Sequence, residues 1–278
     1  MAENLPTAVL DASEGMSDLG SATSIIGLEL NILGKTLNFR IGIAKRQARL
    51  ADIVPVARTV CSKITDAAVE SISRQGGSIS CRKGCSACCS HYLVPLSIPE
   101  ALRMREEVLA MPANRRVVVF QSCLDAAKRI LDDTPESFDL YSSTTAYTAT
   151  QVSQLGRWYA ALKLPCPFLS HGLCTIYEQR PTACREHIVT SSALLCETEH
   201  TDESQPVRMP VSVLEALGQL ASDLEGTPIE AIMLPLALPW ARENLERNQQ
   251  TWPAVMMVER FVEIIKAMAA ENSVAAVG

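Results

Sequence analysis

Seven of the ten cysteines of this chain fall in two short stretches with the spacing of metal ligands. The first reads Cys81-Arg82-Lys83-Gly84-Cys85-Ser86-Ala87-Cys88-Cys89. The second contains Cys166-Pro167-Phe168-Leu169, then Gly172-Leu173-Cys174-Thr175-Ile176-Tyr177, then Arg180-Pro181-Thr182-Ala183-Cys184-Arg185. Two intervening residues let a tight turn aim two sulfurs at one ion, and Gly84 frees the backbone to turn. Adjacent Cys88 and Cys89 project in different directions, so one of them bridges, serves a second ion or stays free. The gaps of seven and nine residues in the second stretch are too wide for local turns to close a site. That stretch can instead complete a site begun by the first, since a closed site needs about four thiolates. The expected metal ligands are Cys81, Cys85, Cys88, Cys89, Cys166, Cys174 and Cys184. Thiolates suit iron, an iron–sulfur cluster and zinc alike. The lack of two short-spaced pairs tilts the reading toward the iron–sulfur cluster.

A group of thiolates around a metal is anionic and needs cations or backbone N–H groups beside it. Arg82, Lys83, Arg180 and Arg185 flank the cysteines. Either a solvated surface role or a place beside the metal fits Arg180 and Arg185, which bracket Pro181 and Cys184. The four histidines, His91, His171, His187 and His200, each lie within five residues of a cysteine. Imidazole is a good ligand for zinc and iron, with His91 and His187 the better candidates. Cys61 and Cys123 fall on apolar helix faces and read as core residues. Cys196 stands where a loop could fold back across the second stretch.

Taken together, the motifs Cys81/Cys85/Cys88/Cys89, Cys166 to Leu169, Gly172 to Tyr177 and Arg180 to Arg185 resemble the CxxCxxCC-type cysteine-cluster family, the putative zinc- or iron-chelating domains. The resemblance covers about residues 81–190. It departs in one place: the family has two residues between its first two cysteines, and this chain has three. The resemblance implies metal binding. A related motif occurs in flagellin lysine methylases, which are larger proteins, and this alone does not carry methyl transfer over.

These cysteines must be positioned by a chain of 278 residues that is 47% hydrophobic, enough for one substantial core. Its net charge of −6 and scattered Lys and Arg argue against nucleic acid as a partner. No apolar window of membrane-spanning length occurs, so no membrane partner is expected. Residues 1–24 read as a flexible acidic tail without the pattern of a secretory leader. The rest, 25–278, reads as a single helical metal-binding domain in the cytoplasm, where thiols stay reduced. The fold class is mainly α, with an N-terminal β-hairpin over 27–43 and a cysteine-rich loop region. Alternating Leu28, Leu30, Ile32 and Leu37, Phe39, Ile41, Ile43 mark the strands, and Gly34-Lys35 suits a type II′ turn. Helices follow near 53–73, from Ile98 to Pro112, along Val117, Phe120, Leu124, Ala127 and Leu131, along Val152, Leu155, Tyr159 and Leu162, from Ser212 to Gly226, and along Val258, Phe261, Ile265 and Met268. Ser97 to Glu100 and Ser212 to Glu215 have capping-box spacing.

Two enzymatic alternatives compete with a metal-binding protein. Cys81, Cys85 and Cys88 have the three-then-two spacing of radical S-adenosylmethionine enzymes, which hold a four-iron cluster on three thiolates. Ala87 stands where those enzymes carry an aromatic residue, and the repeated βα units of a barrel are missing from the pattern. A methyltransferase-type enzyme using the cluster belongs to the same class. The other alternative is thiol chemistry at Cys88 or Cys89, activated by Arg82, Lys83 and His91. Nothing in the sequence names a substrate or a protein partner.

Overall fold

The computed structural model describes residues 7–11, 24–136, 138, 148–197 and 204–275. Of the stretch 1–24, expected as a tail, all but 7–11 and 24 lies outside the described residues, as does His200. The architecture is mainly α, with small antiparallel sheets.

Strands β1 (Thr7–Asp11), β2 (Ser24–Ile32) and β3 (Lys35–Ile43) form one sheet in the order β1-β3-β2. The β2–β3 hairpin pairs Ile32 with Lys35. Its alternation is the one read from the sequence: Leu28, Leu30, Ile32, Phe39, Ile41 and Ile43 are buried on one face. The turn differs by one residue. It is Leu33-Gly34, with φ of +51° and +80°, and not Gly34-Lys35. Two positive φ values define a type I′ turn, whose twist matches that of the flanking strands.

The apolar face of the sheet packs on α1 (Val54–Arg74) and α9 (Ala254–Ala275). Val56, Val60, Ile64 and Ala67 of α1 are all buried, as the helical period requires. Around them lie α2 (Ile98–Leu109), α6 (Val213–Glu225) and α7 (Ala237–Glu243), which share the same core. Gly226, at φ +67°, ends α6. Helix α3 (Ala113–Asp133) turns a different face inward from the one its hydropathy suggests. Val119, Cys123, Ala126 and Ile130 are buried, while Val117, Leu124 and Leu131 are exposed. Val152 of α4 (Ala149–Leu162) is likewise exposed, while Leu155 and Tyr159 are buried. Strands β1, β2 and β3 run antiparallel, unlike the parallel strands of a βα barrel.

The element that carries Cys184 is short: α5 (Thr182–Glu186), five residues. An isolated helix of that length does not hold itself together. Two carboxylates fix it. Glu100, 1% exposed, closes the capping box of α2 by accepting from Ser97 N and Oγ at 3.2 and 3.0 Å. Its other oxygen accepts from Thr182 N and Oγ1 at 2.7 and 2.9 Å. At the far end of α5, Glu186 accepts from Val213 N at 2.6 Å, Leu214 N at 3.3 Å and Ser212 Oγ at 3.1 Å. It thereby satisfies orphan N–H groups at the start of α6. Desolvation pushes its carboxyl up to about 7.

Two stability changes follow. Leu33 is half-exposed and strained in a left-handed conformation. Leu33→Asn should therefore raise stability by about 0.5–1 kcal/mol, read from the denaturation midpoint. Glu100→Ala should destabilise by about 2–4 kcal/mol, because it strands buried donors on both α2 and α5. In that variant the Cys184 thiol should also react faster with an alkylating reagent.

Candidate metal centre

The first cysteine stretch is built from two tight turns. Cys85 N donates to Arg82 O at 2.9 Å, with Gly84 at φ +90° in the third position. A side chain disfavours that conformation, so the glycine is what allows three residues to separate Cys81 from Cys85 in a compact turn. A 3-10 turn, Ala87–Ser90, follows. Within it the Cys88 and Cys89 thiols lie close enough to hydrogen-bond to each other.

The second stretch is more local than its spacing suggests. Strands β6 (Leu169–Ser170) and β7 (Leu173–Cys174) form a two-residue hairpin through His171-Gly172, at φ +50° and +73°. The hairpin pairs Leu169 with Cys174 and so returns the chain to the neighbourhood of Cys166. Thr175 N and Oγ1 both donate to Phe168 O, at 2.9 and 2.8 Å, and Phe168 is 1% exposed in the core. From there the chain passes Tyr177–Gln179 and Pro181 into α5 and Cys184.

The two stretches meet. Cys166 N donates to Cys89 O at 2.7 Å across a separation that the sequence leaves open. All ten cysteines are free. Desolvation, followed by the neighbouring Cys166, Cys88 and Cys174 thiols, raises Cys184 well above the ordinary thiol value. Desolvation pushes Cys166 up to about 12, with contributions from Cys174, Cys123 and Cys88. A hydrogen bond to the Cys89 thiol, and then desolvation, raise Cys88. Cys166 and Cys184 keep part of their surface open to solvent. Their thiols are nevertheless crowded by protein, and crowding governs the cost of charging them. Among the described residues no three His, Cys, Asp or Glu side chains already form a closed cage around one point. The backbone contact at Cys89 and Cys166 brings the two stretches together.

One cation serves this neighbourhood. Arg180 lies over the Tyr177 ring, 3.8 Å from its centroid, and donates from Nε to Tyr177 O at 3.1 Å. From there its charge counters the upward shifts of Cys81, Cys88 and Cys184. Arg185 faces elsewhere. It donates to Ser62 Oγ at 2.7 Å, to Arg180 O at 3.0 Å and to Glu178 O. Lys83 pairs with Glu178 at the surface, 3.0 Å away.

Histidine plays a framing part. His91 is buried, and its Nδ1–H donates to Ala160 O at 3.2 Å. His187 stacks on Tyr92, with centroids 3.9 Å apart and planes 14° apart. Desolvation lowers its pKa and favours the neutral ring. His171 sits at the hairpin tip, exposed. Cys61 is more than core filling: its Sγ is 3.9 Å from Thr182 O and 3.8 Å from Glu186 Oε1, against both ends of α5.

Cys196 was the residue that sequence spacing left undecided. It is 5% exposed and forms an apolar cluster with Ala87 and Val189, against which Cys81, Cys85 and Cys88 pack. The chain returns there because Ser80 N donates to Val189 O at 3.1 Å.

The donor set fits a thiophilic metal. The crowded thiols of the two stretches have the Arg180 guanidinium beside them, and ionising them together is costly unless a metal cation joins them. It fits Cys88 as an activated nucleophile poorly, because that thiol is shifted upward where a reactive thiol is shifted downward.

Comparison with curated proteins and with solved structures found no match. Residues 80–206 match the family model CxxCxxCC, described as "Putative zinc- or iron-chelating domain". The matched range ends beyond Cys196 and takes in every cysteine of the cluster. Over this segment, which is less than half of the chain, the protein is similar to the CxxCxxCC family.

Proposed function

We propose that this protein is a thiolate metal-binding protein of a reducing compartment. Its cysteines hold iron or zinc, and the uneven spacing favours iron as an iron–sulfur cluster. The observation that supports this reading is the bond from Cys166 N to Cys89 O, which brings together the two distant stretches that carry the proposed ligands Cys81, Cys85, Cys88, Cys89, Cys166, Cys174 and Cys184. A buried set of thiols gains from ionising only when a metal neutralises it, so binding and deprotonation go together. Bound there, the metal would supply electron transfer if it is an iron–sulfur cluster, or a rigid structural link if it is zinc. Arg180 offsets the residual negative charge. Tyr92, stacked on His187, lies beside the Cys184 and Cys88 thiols. The described residues contain no helix long and apolar enough to cross a membrane.

The test is metal and acid-labile sulfide analysis of protein purified without oxygen, with a visible spectrum. Stoichiometric metal is expected, and Cys166→Ser and Cys184→Ser should each reduce it at least tenfold. Stoichiometric zinc in a colourless protein would end the iron–sulfur version. Metal-free protein whose thiols all titrate freely, with a melting temperature indifferent to added iron or zinc, would end the reading itself.

A further inference from the structure

We infer that the outer face of α3 is a docking surface for a second copy of this chain, whose own α3 lies antiparallel on it. The inference stands apart from the metal reading.

The surface begins as a row in the sequence. Val117, Leu124 and Leu131 are seven residues apart. Seven residues are nearly two helical turns, so the three side chains fall in one line along the helix. Phe120 and Ala127 fill the steps between them at alternating intervals of three and four, the spacing of a helix that packs along another helix. The fold of the chain uses a different face. Val119, Cys123, Ala126 and Ile130 are the buried residues, and α3 packs on Leu234–Leu236, α2 and α7. Val117 stays 66% exposed, Leu124 51% and Leu131 40%, with Val118 exposed beside them. An apolar line running the length of a helix gains free energy when another apolar surface covers it.

The ends of α3 identify what covers it. Arg115 and Arg116 precede the row, and Asp132 and Asp133 follow it, each pair eight and nine residues from Leu124. Reversing the helix about Leu124 therefore sets Val117 of one copy near Leu131 of the other and Leu124 near its own counterpart. It also brings the arginine end of one copy to the aspartate end of the other. A parallel pair would crowd arginine on arginine and aspartate on aspartate, and it would align the two helix dipoles unfavourably. Arg115 and Arg116 donate to Thr175 O and Leu109 O, neutral carbonyls that orient the guanidinium groups without cancelling their charge. Arg129 pairs with Asp133 inside the helix, while Asp132 and the exposed Glu136 keep that end negative. Such a contact is isologous and closes at two copies. One helix face is small for an interface, so the dimer is a weak, micromolar one.

The test is sedimentation velocity of the full, reduced chain over a range of micromolar concentrations. A monomer–dimer equilibrium is expected. Leu124→Glu and, separately, Val117→Asp should each weaken the dimer about tenfold or more. Both residues are exposed, and circular dichroism with metal analysis checks that fold and metal content are unchanged. Arg115→Asp with Arg116→Asp puts aspartates at both ends of α3 and should weaken the dimer too. Adding Asp132→Arg and Asp133→Arg to that variant should restore it. A chain that is monomeric at every concentration would overturn the inference. So would a dimer indifferent to Leu124→Glu and Val117→Asp, which would place the contact elsewhere. A dimer broken by Leu124→Glu but not restored by the exchange of end charges would refute the antiparallel arrangement.

Discussion

A single buried carboxylate sets the geometry on which the cysteine cluster depends. Glu100 spends one oxygen on Ser97, at the start of α2, and the other on Thr182, at the start of α5. A charge taken this far from water is tolerable only when hydrogen bonds saturate it, and here four donors do so. The consequence is mechanical. A five-residue helix that could not form in isolation is pinned at its first residue, and Cys184 sits two positions later. Glu186 fixes the other end by capping α6. The helix is a peg between two larger helices, and the thiol it carries inherits their rigidity.

The arrangement also explains why the two arginines near Cys184 have separate tasks. Pro181 holds Arg180 in extended backbone, at φ −52° and ψ 141°, because the proline ring disfavours a helical residue before it. Arg180 is thereby turned back over the Tyr177 ring and toward the thiols. Arg185 comes one residue after Cys184, inside α5, and the helical rotation carries it to Ser62 on α1. Desolvation lowers its pKa there, and its donors are consumed by carbonyls and a hydroxyl. Two cations five residues apart in sequence therefore act differently: one faces the thiols, and the other ties the loop to the helical core.

Much of this was legible in the sequence where the signal is local. The period-two alternation of Leu28 to Ile43, the capping box at Ser97 and the N-cap at Ser212, where only the Ser212 half of the expected box forms, reported real elements, because each is settled within a few residues. What was illegible is settled at a distance. The burial of Val119, Cys123 and Ile130 in place of Val117, Leu124 and Leu131 depends on which neighbours α3 meets, and both faces of that helix are apolar enough to serve. The turn at Leu33-Gly34 was displaced because leucine is a poor residue for positive φ, and strand register outweighed its preference. At the cluster, the role of Gly84 could be read from the motif, while the place of Cys196 could not. It is fixed by a backbone bond between Ser80 and Val189, two residues that carry no chemical signature.

The same contrast bears on how metal and fold depend on each other. The sheet, α1, α2, α6 and α9 share an extensive apolar core, with Cys61 and Cys123 inside it and Cys166 and Cys174 packed against it. The stretches from Cys81 to His91 and from Cys166 to Cys196 are turns, two-residue strands and a five-residue helix, and Cys196 shares its own small cluster with only Ala87 and Val189 among buried residues. Short elements of this kind gain little from burial, and what fixes them is backbone hydrogen bonds, two carboxylates and any bond that crosses between them. A metal held by thiols from both stretches would be such a bond. Its binding energy would be spent on the cysteine region while the helical core stands without it. The chain therefore presents a stable scaffold that brings thiols close without closing them, which is the arrangement needed for an ion to complete the site.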